Sequence, residues 1–267
     1  MKPLLTIAAA LAAASIASAQ TTHTVSNGPG FEFAPADLTI QVGDTVQWVW
    51  QGTFFHNVES GVGSVPDGIF TSGSPVQGPA TFSVTFDQAF LNANPVPGNA
   101  YDYYCIVHES LFGQTGVVRV TTDYGCQNPV GSLVDLSGGP EIGGLWVLGV
   151  DNPVPGGQTP GSAAFVAVSS QPAPGFPCGL PLPGFHMDPL LPFGELLVGI
   201  GGPDPLLIAG PGAWFGPGSP ANVSIPLPFD PGLVGFELFT QGLLLDAVGT
   251  NTFGASNGLR ATVGVAP

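Results

Sequence analysis

Three side chains stand out for the chemistry their types and spacing allow: Cys105, His108 close behind it, and His56 far upstream. The aromatic run Tyr101-Asp102-Tyr103-Tyr104 leads into Cys105, a short loop carries His108, and a further strand begins near Gly116. This order holds a thiol and an imidazole at one end of a β structure. His56 sits between Phe55 and Asn57. One Cys and two His are the strong donors of a mononuclear blue-copper site, whose near-trigonal geometry serves both oxidation states moderately well. The plainer alternatives are a buried structural thiol or disulfide half for Cys105, and an ordinary loop histidine for His108.

Cysteine arithmetic bears on that choice. Three Cys leave one over, and oxidising compartments favour pairing. If Cys126 bonds Cys178, Cys105 remains as the free thiol. Such a bridge would be worth roughly 4 kcal/mol in the chain-entropy model and would tie the start of the second half to its Pro-rich middle. The alternative is that one of the two bonds another chain. The other histidines are weaker candidates. His23 lies near the start. His186 stands in Pro183-Gly184-Phe185-His186-Met187-Asp188, where a His-Met pair beside Asp suggests a second copper site. No third soft donor is near it in sequence, so a loop hydrogen bond is its simpler role. Glu109 is either a competing oxygen donor or a solvated carboxylate.

The region from His23 to Thr122 resembles a cupredoxin of the plastocyanin, halocyanin and azurin type. The matching residues are Val42-Gly43-Asp44-Thr45-Val46, the Trp48/Trp50 strand, His56-Asn57-Val58, Tyr103-Tyr104-Cys105 with His108, and Gly116 before the closing strand. The resemblance implies a Greek-key β-sandwich holding one copper ion at His56, Cys105 and His108. It also implies that Asn57 ties the two ligand loops together by hydrogen bonding. The chain departs from the commonest pattern at the axial position. The loop Glu109-Ser110-Leu111-Phe112-Gly113-Gln114 has no Met. Gln114 aligns with the family's Met if the loop is one residue longer, and Gln is an accepted weak axial donor. The alternative leaves Gln114 as a loop hydrogen-bonder. The family's docking face surrounds the second His, which places Ile106, Val107, Leu111 and Phe112 in an apolar patch for a redox protein partner, with the edge of His108 at the surface.

The ends and the composition set further bounds. Residues 1–19 read as a secretory signal: Lys2, the apolar run from Leu4 to Ile16, and Ala17-Ser18-Ala19 as a cleavage site. The run is short of the ~20 apolar residues a spanning helix needs, and later apolar stretches are broken by Gly and Pro. The expectation is a secreted, periplasmic or cell-surface protein with no membrane span after the signal is removed. With 3 Lys+Arg against 18 Asp+Glu, the net charge is −15. Beyond Lys2 the only basic side chains are Arg119 and Arg260. Nucleic acid is excluded as a partner, because phosphate binding needs clustered cations.

With 40 Gly and 29 Pro, long helices are disfavoured throughout. Alternating apolar residues at Leu38/Ile40/Val42, Val46/Trp48/Trp50, Phe82/Val84/Phe86, Tyr101/Tyr103/Cys105 and Val118/Val120 predict half-buried strands. The Gly/Ser/Pro-rich segment from Gly61 to Gly78 reads as a surface excursion with a short turn of helix. Proline becomes denser after residue 122, and the alternation is expected to give out there. The domains are therefore read as 20–122, copper-binding, and 123–267, a second antiparallel β-sandwich. Strands of the second are expected at Leu145–Val150, Ala164–Val168, Glu195–Ile200, Val234–Phe239 and Leu259–Val265, with an edge strand over Asn222–Pro228. Its run from Phe236 to Asp246 is similar to repeated tail modules on secreted bacterial proteins, a likeness that assigns no activity.

The expected fold class is all-β. The expected function is single-electron transfer by an exported copper protein, not enzymatic catalysis: no hydrolase elbow, phosphate loop or zinc-protease signature is present. The rivals are non-redox copper storage or delivery, and attachment through the C-terminal sandwich.

Overall fold

The computed structural model describes residues 20–27, 30–201, 206–249 and 252–265. The proposed signal, residues 1–19, and the Pro203-Asp204-Pro205 stretch, expected from sequence to separate two strands, lie outside the described residues. The chain is an all-β protein of packed sheets; among the described residues the α-helices are the short Gln88–Ala93 and Glu109–Phe112.

The first half is a sandwich. One layer runs Phe33–Ala34, Thr22–Asn27, Thr45–Trp50, Ala80–Thr85; its Thr22–Asn27 and Thr45–Trp50 strands are parallel. The facing layer pairs Asp37–Gln41 in parallel with Thr115–Tyr124, which runs antiparallel to Ala100–Tyr104, followed by Glu59–Val62 and Val65–Thr71. The period-2 residues meet between the layers: Val25, Val46, Trp48, Trp50, Phe70, Phe86, Tyr101, Tyr103, Val118 and Val120 form one buried cluster with Cys105. Burying an aromatic or branched side chain contributes roughly 1.5–3 kcal/mol, so this cluster suffices to hold a rigid frame. The segment 61–78 contains a hairpin strand, Val65–Thr71, and no helical turn. Gly61, at φ +133°, sits against the Val65 carbonyl where a Cβ would collide, which lets the chain reverse tightly.

The closing strand does not end with its alternation. Thr115–Tyr124 crosses residue 122 and pairs antiparallel with Phe253–Thr262, Thr122 opposite Arg260 and Tyr124 opposite Gly258. The sheet continues through Glu237–Leu245 and Ala163–Ser169 to Leu207–Ala213. One strand thus serves both halves. The second half adds a three-stranded layer, Leu133–Asp135, Leu145–Val150, Ala221–Pro226, and its own core of Leu133, Trp146, Leu148, Val150, Val166, Met187, Trp214, Val223, Ile225 and Leu244.

The shared sheet alters the expected half-burial. Thr39, Arg119 and Thr121 point away from the first core, yet all are buried. Gly139 lies against Thr39, and Gln41 Nε2 donates to the Asp135 carbonyl. Arg119 pairs with Asp37, whose other carboxylate oxygen accepts from Val265 N at 3.1 Å. Some second-half strands are displaced from the sequence expectation. Phe193–Leu196 is shorter than 195–200, and Glu237–Leu245 begins beyond a 3₁₀ turn at Pro231–Leu233. Pro231 and Gly235 favour turn over ladder there. The Ala221–Pro226 strand pairs on one side only, as a Pro-terminated strand must. Cys126 and Cys178 form a disulfide, and Cys105 is free and buried.

Candidate metal centre

Each donor is presented by a different local device. His56 ends the two-residue strand Phe55–His56, which pairs with Val76–Gln77. Cys105 follows Ala100–Tyr104, at the point where that strand leaves the sheet. Its N–H donates to the Gln114 carbonyl at 3.1 Å, which closes the base of the loop between them. Inside the loop, the Cys105 carbonyl accepts from His108 N at 3.1 Å and Glu109 N at 2.9 Å, turning His108 back over the sulfur. The helix Glu109–Phe112 then stops at Gly113, whose φ of 68° lets the chain re-enter the sheet at Thr115.

Four donor atoms converge. Cys105 Sγ lies 3.5 Å from His108 Nδ1 and 4.0 Å from His56 Nδ1. Gln114 Oε1 lies 3.0 Å from His108 Nδ1 and 3.3 Å from His56 Nδ1. His56, Cys105, His108 and Gln114 are all buried. The Gln114 amide has a defined orientation: its Nε2 donates to Asn27 Oδ1, which turns Oε1 toward the ring nitrogens. Burial, followed by the neighbouring His108, holds His56 below the usual histidine range, with the Gln114 hydrogen bond opposing. This favours the neutral ring, the form that binds a metal. The set offers one sulfur, two ring nitrogens and a single amide oxygen. Those residues fit a soft or borderline ion such as copper and are too poor in oxygen for calcium or magnesium.

The supporting contacts are equally specific. Asn57 Oδ1 accepts from Ile106 N at 2.9 Å, joining the residue after His56 to the residue after Cys105, and Asn57 Nδ2 donates to the Gly73 carbonyl at 3.2 Å. Two contributors had no signal in the sequence. Asn27 comes from the strand that pairs in parallel with Thr45–Trp50. Phe31 packs on His108 with ring centroids 4.3 Å apart and stacks on Phe112 at 4.2 Å. The expected surface edge of His108 is therefore covered; the residue is 6% exposed. Ile106, Val107, Leu111 and Phe112 are all exposed around it, together with Phe54 and Phe55.

The remaining candidates lie elsewhere. His23 Nε2 contacts Asp44 at 2.8 Å. His186 Nδ1 donates to the Asp188 carbonyl at 3.0 Å, and Met187 is buried in the second core. Glu109 accepts from Ser64 Oγ. Glu195 lies beside the disulfide, but it accepts from Cys126 N at 2.7 Å and Gln127 N at 2.8 Å.

Residues 19–121 match the model of the copper binding proteins, plastocyanin/azurin family. Among solved structures, the chain is similar to a mutant of amicyanin in its Cu(I) form, with 24% identity, 37% of this chain and 81% of that chain covered, and a TM-score of 0.28. It is similar to a purple cupredoxin from Nitrosopumilus maritimus, with 25% identity, 36% and 97% coverage, and a TM-score of 0.28. A mutant fern plastocyanin gives 21% identity, 37% and 99% coverage, and a TM-score of 0.28. No curated protein sequence matches the chain. No helix among the described residues is long and apolar enough to cross a membrane.

Proposed function

We propose that the chain is an exported type 1 copper protein that carries single electrons between redox partners. The supporting observation is the buried convergence of Cys105 Sγ, two imidazole Nδ1 atoms and Gln114 Oε1, in a region matching a copper-binding family. Copper held there supplies a one-electron couple. Cys105 provides the thiolate, and His56 and His108 provide neutral nitrogens. Gln114, steered by Asn27, provides a weak fourth donor, its amide oxygen. A harder oxygen in place of a thioether favours Cu(II), so the potential is expected to be low for this class.

The surroundings suit transfer rather than catalysis. Strand ends and the loop anchored on them hold the four donors, and the Asn57–Ile106 hydrogen bond locks one ligand loop to the other. Little has to move when the oxidation state changes. Phe31 and Phe112 close the site against water. The exposed Ile106, Val107, Leu111 and Phe112 lie where a partner can approach His108, and the apolar patch suits transient docking. The leader-like sequence of residues 1–19 and a disulfide, which persists outside reducing compartments, support export.

Voltammetry of the copper-loaded protein tests the reading. A reversible one-electron wave, with copper retained against a mild chelator, is expected. Rapid loss of the metal to the chelator would instead indicate storage or delivery.

A further inference from the structure

A cleft of about 750 Å³ lies between the halves, far along the shared strand from the metal donors. Its walls come from both. The helix Gln88–Ala93 of the first half contributes Gln88 and Asn92, the shared strand contributes Thr122 and Tyr124, and the second half contributes Phe176 and Arg260. The volume falls within the range of small-ligand sites. Thr122 and Arg260 are opposite in register and so project from one face, joined by Tyr124 two residues on.

The polar groups on this cleft are mixed in kind. Gln88 Nε2 donates to Asn92 Oδ1 at 2.9 Å, which leaves Gln88 Oε1 as an acceptor and Asn92 Nδ2 as a donor. Arg260 gives Nη2 to Glu237, which compensates its charge. Its remaining N–H groups have no partner among the described residues. Thr122 adds a hydroxyl that both donates and accepts. An anion site would offer donors alone, and a cation site acceptors alone. Asp123 also lines the cleft, its carboxylate accepting from Asn257 Nδ2 at 3.3 Å; alternating donors and acceptors beside a guanidinium already paired with Glu237 match hydroxyl groups, each of which also does both.

The sixth residue is a platform. Phe176 is 44% exposed, yet it is fixed from behind by Tyr124, with ring centroids 5.3 Å apart, and by Phe239 at 5.8 Å. The Cys126–Cys178 disulfide ties down the loop that carries it. An exposed, immobilised aromatic face beside planar amides and a guanidinium fits the apolar C–H face of a pyranose ring. From this arrangement we propose that the cleft between the two halves binds a neutral saccharide, with Phe176 as the stacking surface and Gln88, Asn92, Thr122 and Arg260 as hydroxyl partners. The site is independent of the electron-transfer reading, since it shares no residue with the metal centre.

Calorimetric titration of the copper-loaded full chain with cellotriose, maltotriose, xylotriose and the acidic trigalacturonate tests the proposal. At least one neutral trisaccharide should bind with Kd below about 1 mM. Phe176→Ala should weaken it by about tenfold or more, and Asn92→Ala, on an exposed helix position, by several-fold, with the copper absorption unchanged in both. If Phe176→Ala fails to fold, Asn92→Ala carries the test alone. Absence of neutral-sugar binding, binding of trigalacturonate alone, or binding indifferent to both variants would overturn the assignment.

Discussion

Gln114 and Asn57 carry the most specific chemistry at the scale of single residues. Gln114 has its amide nitrogen committed to Asn27, so its oxygen faces the ring nitrogens of His56 and His108. Replacing it by Met substitutes a softer donor, which favours Cu(I). Gln114→Met is expected to raise the reduction potential; an unchanged potential would remove Gln114 from coordination. Asn57→Ala breaks the bond to Ile106 N. Losing such an outer hydrogen bond weakens metal retention by about 10–100-fold, which competition with a chelator measures; full retention would show that the loops hold themselves. That Cys105, His108 and His56 come together was legible from sequence because donor chemistry travels with residue type. Gln114 joined them there only through the family resemblance, as the residue aligned with an axial Met. Asn27 and Phe31 were not legible, because strand pairing brings them in from a segment with no motif of its own.

The decisive element is the strand Thr115–Tyr124. Its first residues follow Gln114, and its last three pair with Phe253–Thr262. The alternation from Val118 to Val120 revealed the inner face. It could not reveal that the outer face is covered as well, because Arg119 and Thr121 look like solvent-facing residues until the second half is in place. Arg119→Met would leave Asp37 buried without its cation. Removing one partner of a buried pair costs about 3–5 kcal/mol, and a denaturant melt showing a loss below about 1 kcal/mol would contradict the role. The turn after Glu237–Leu245 depends on Asp246. Burial pushes that carboxyl upward, but hydrogen bonds from the Thr159 side chain and from the N–H groups of Val248, Thr159 and Gly249 outweigh it and hold it at about 2. Its stabilising contribution is full above the ordinary carboxylate value and is lost as pH falls through about 2. Asp246→Asn should flatten this acid dependence in a stability profile between pH 2 and 5; a profile matching the parent would assign the acid loss to other carboxylates. The second half was less readable because its continuous apolar runs, such as Val166 to Val168, do not alternate when both faces are covered.

For the whole molecule, a sheet shared across both halves implies cooperative unfolding. Scanning calorimetry of the full chain should show one transition that copper moves upward as a unit. Two transitions, with only one shifted by copper, would mean that the strand couples nothing. Under the proposed function, the acidic balance, −15 over the sequence, would act on a partner at longer range than the apolar patch around His108.

The visible spectrum after adding Cu(II) to the purified chain bears most directly on the central claim. An intense sulfur-to-copper absorption toward the red end is expected, and Cys105→Ser should abolish it while the protein stays folded. A colourless copper-loaded protein, or a colour that survives Cys105→Ser, would contradict a copper ion held by this thiolate.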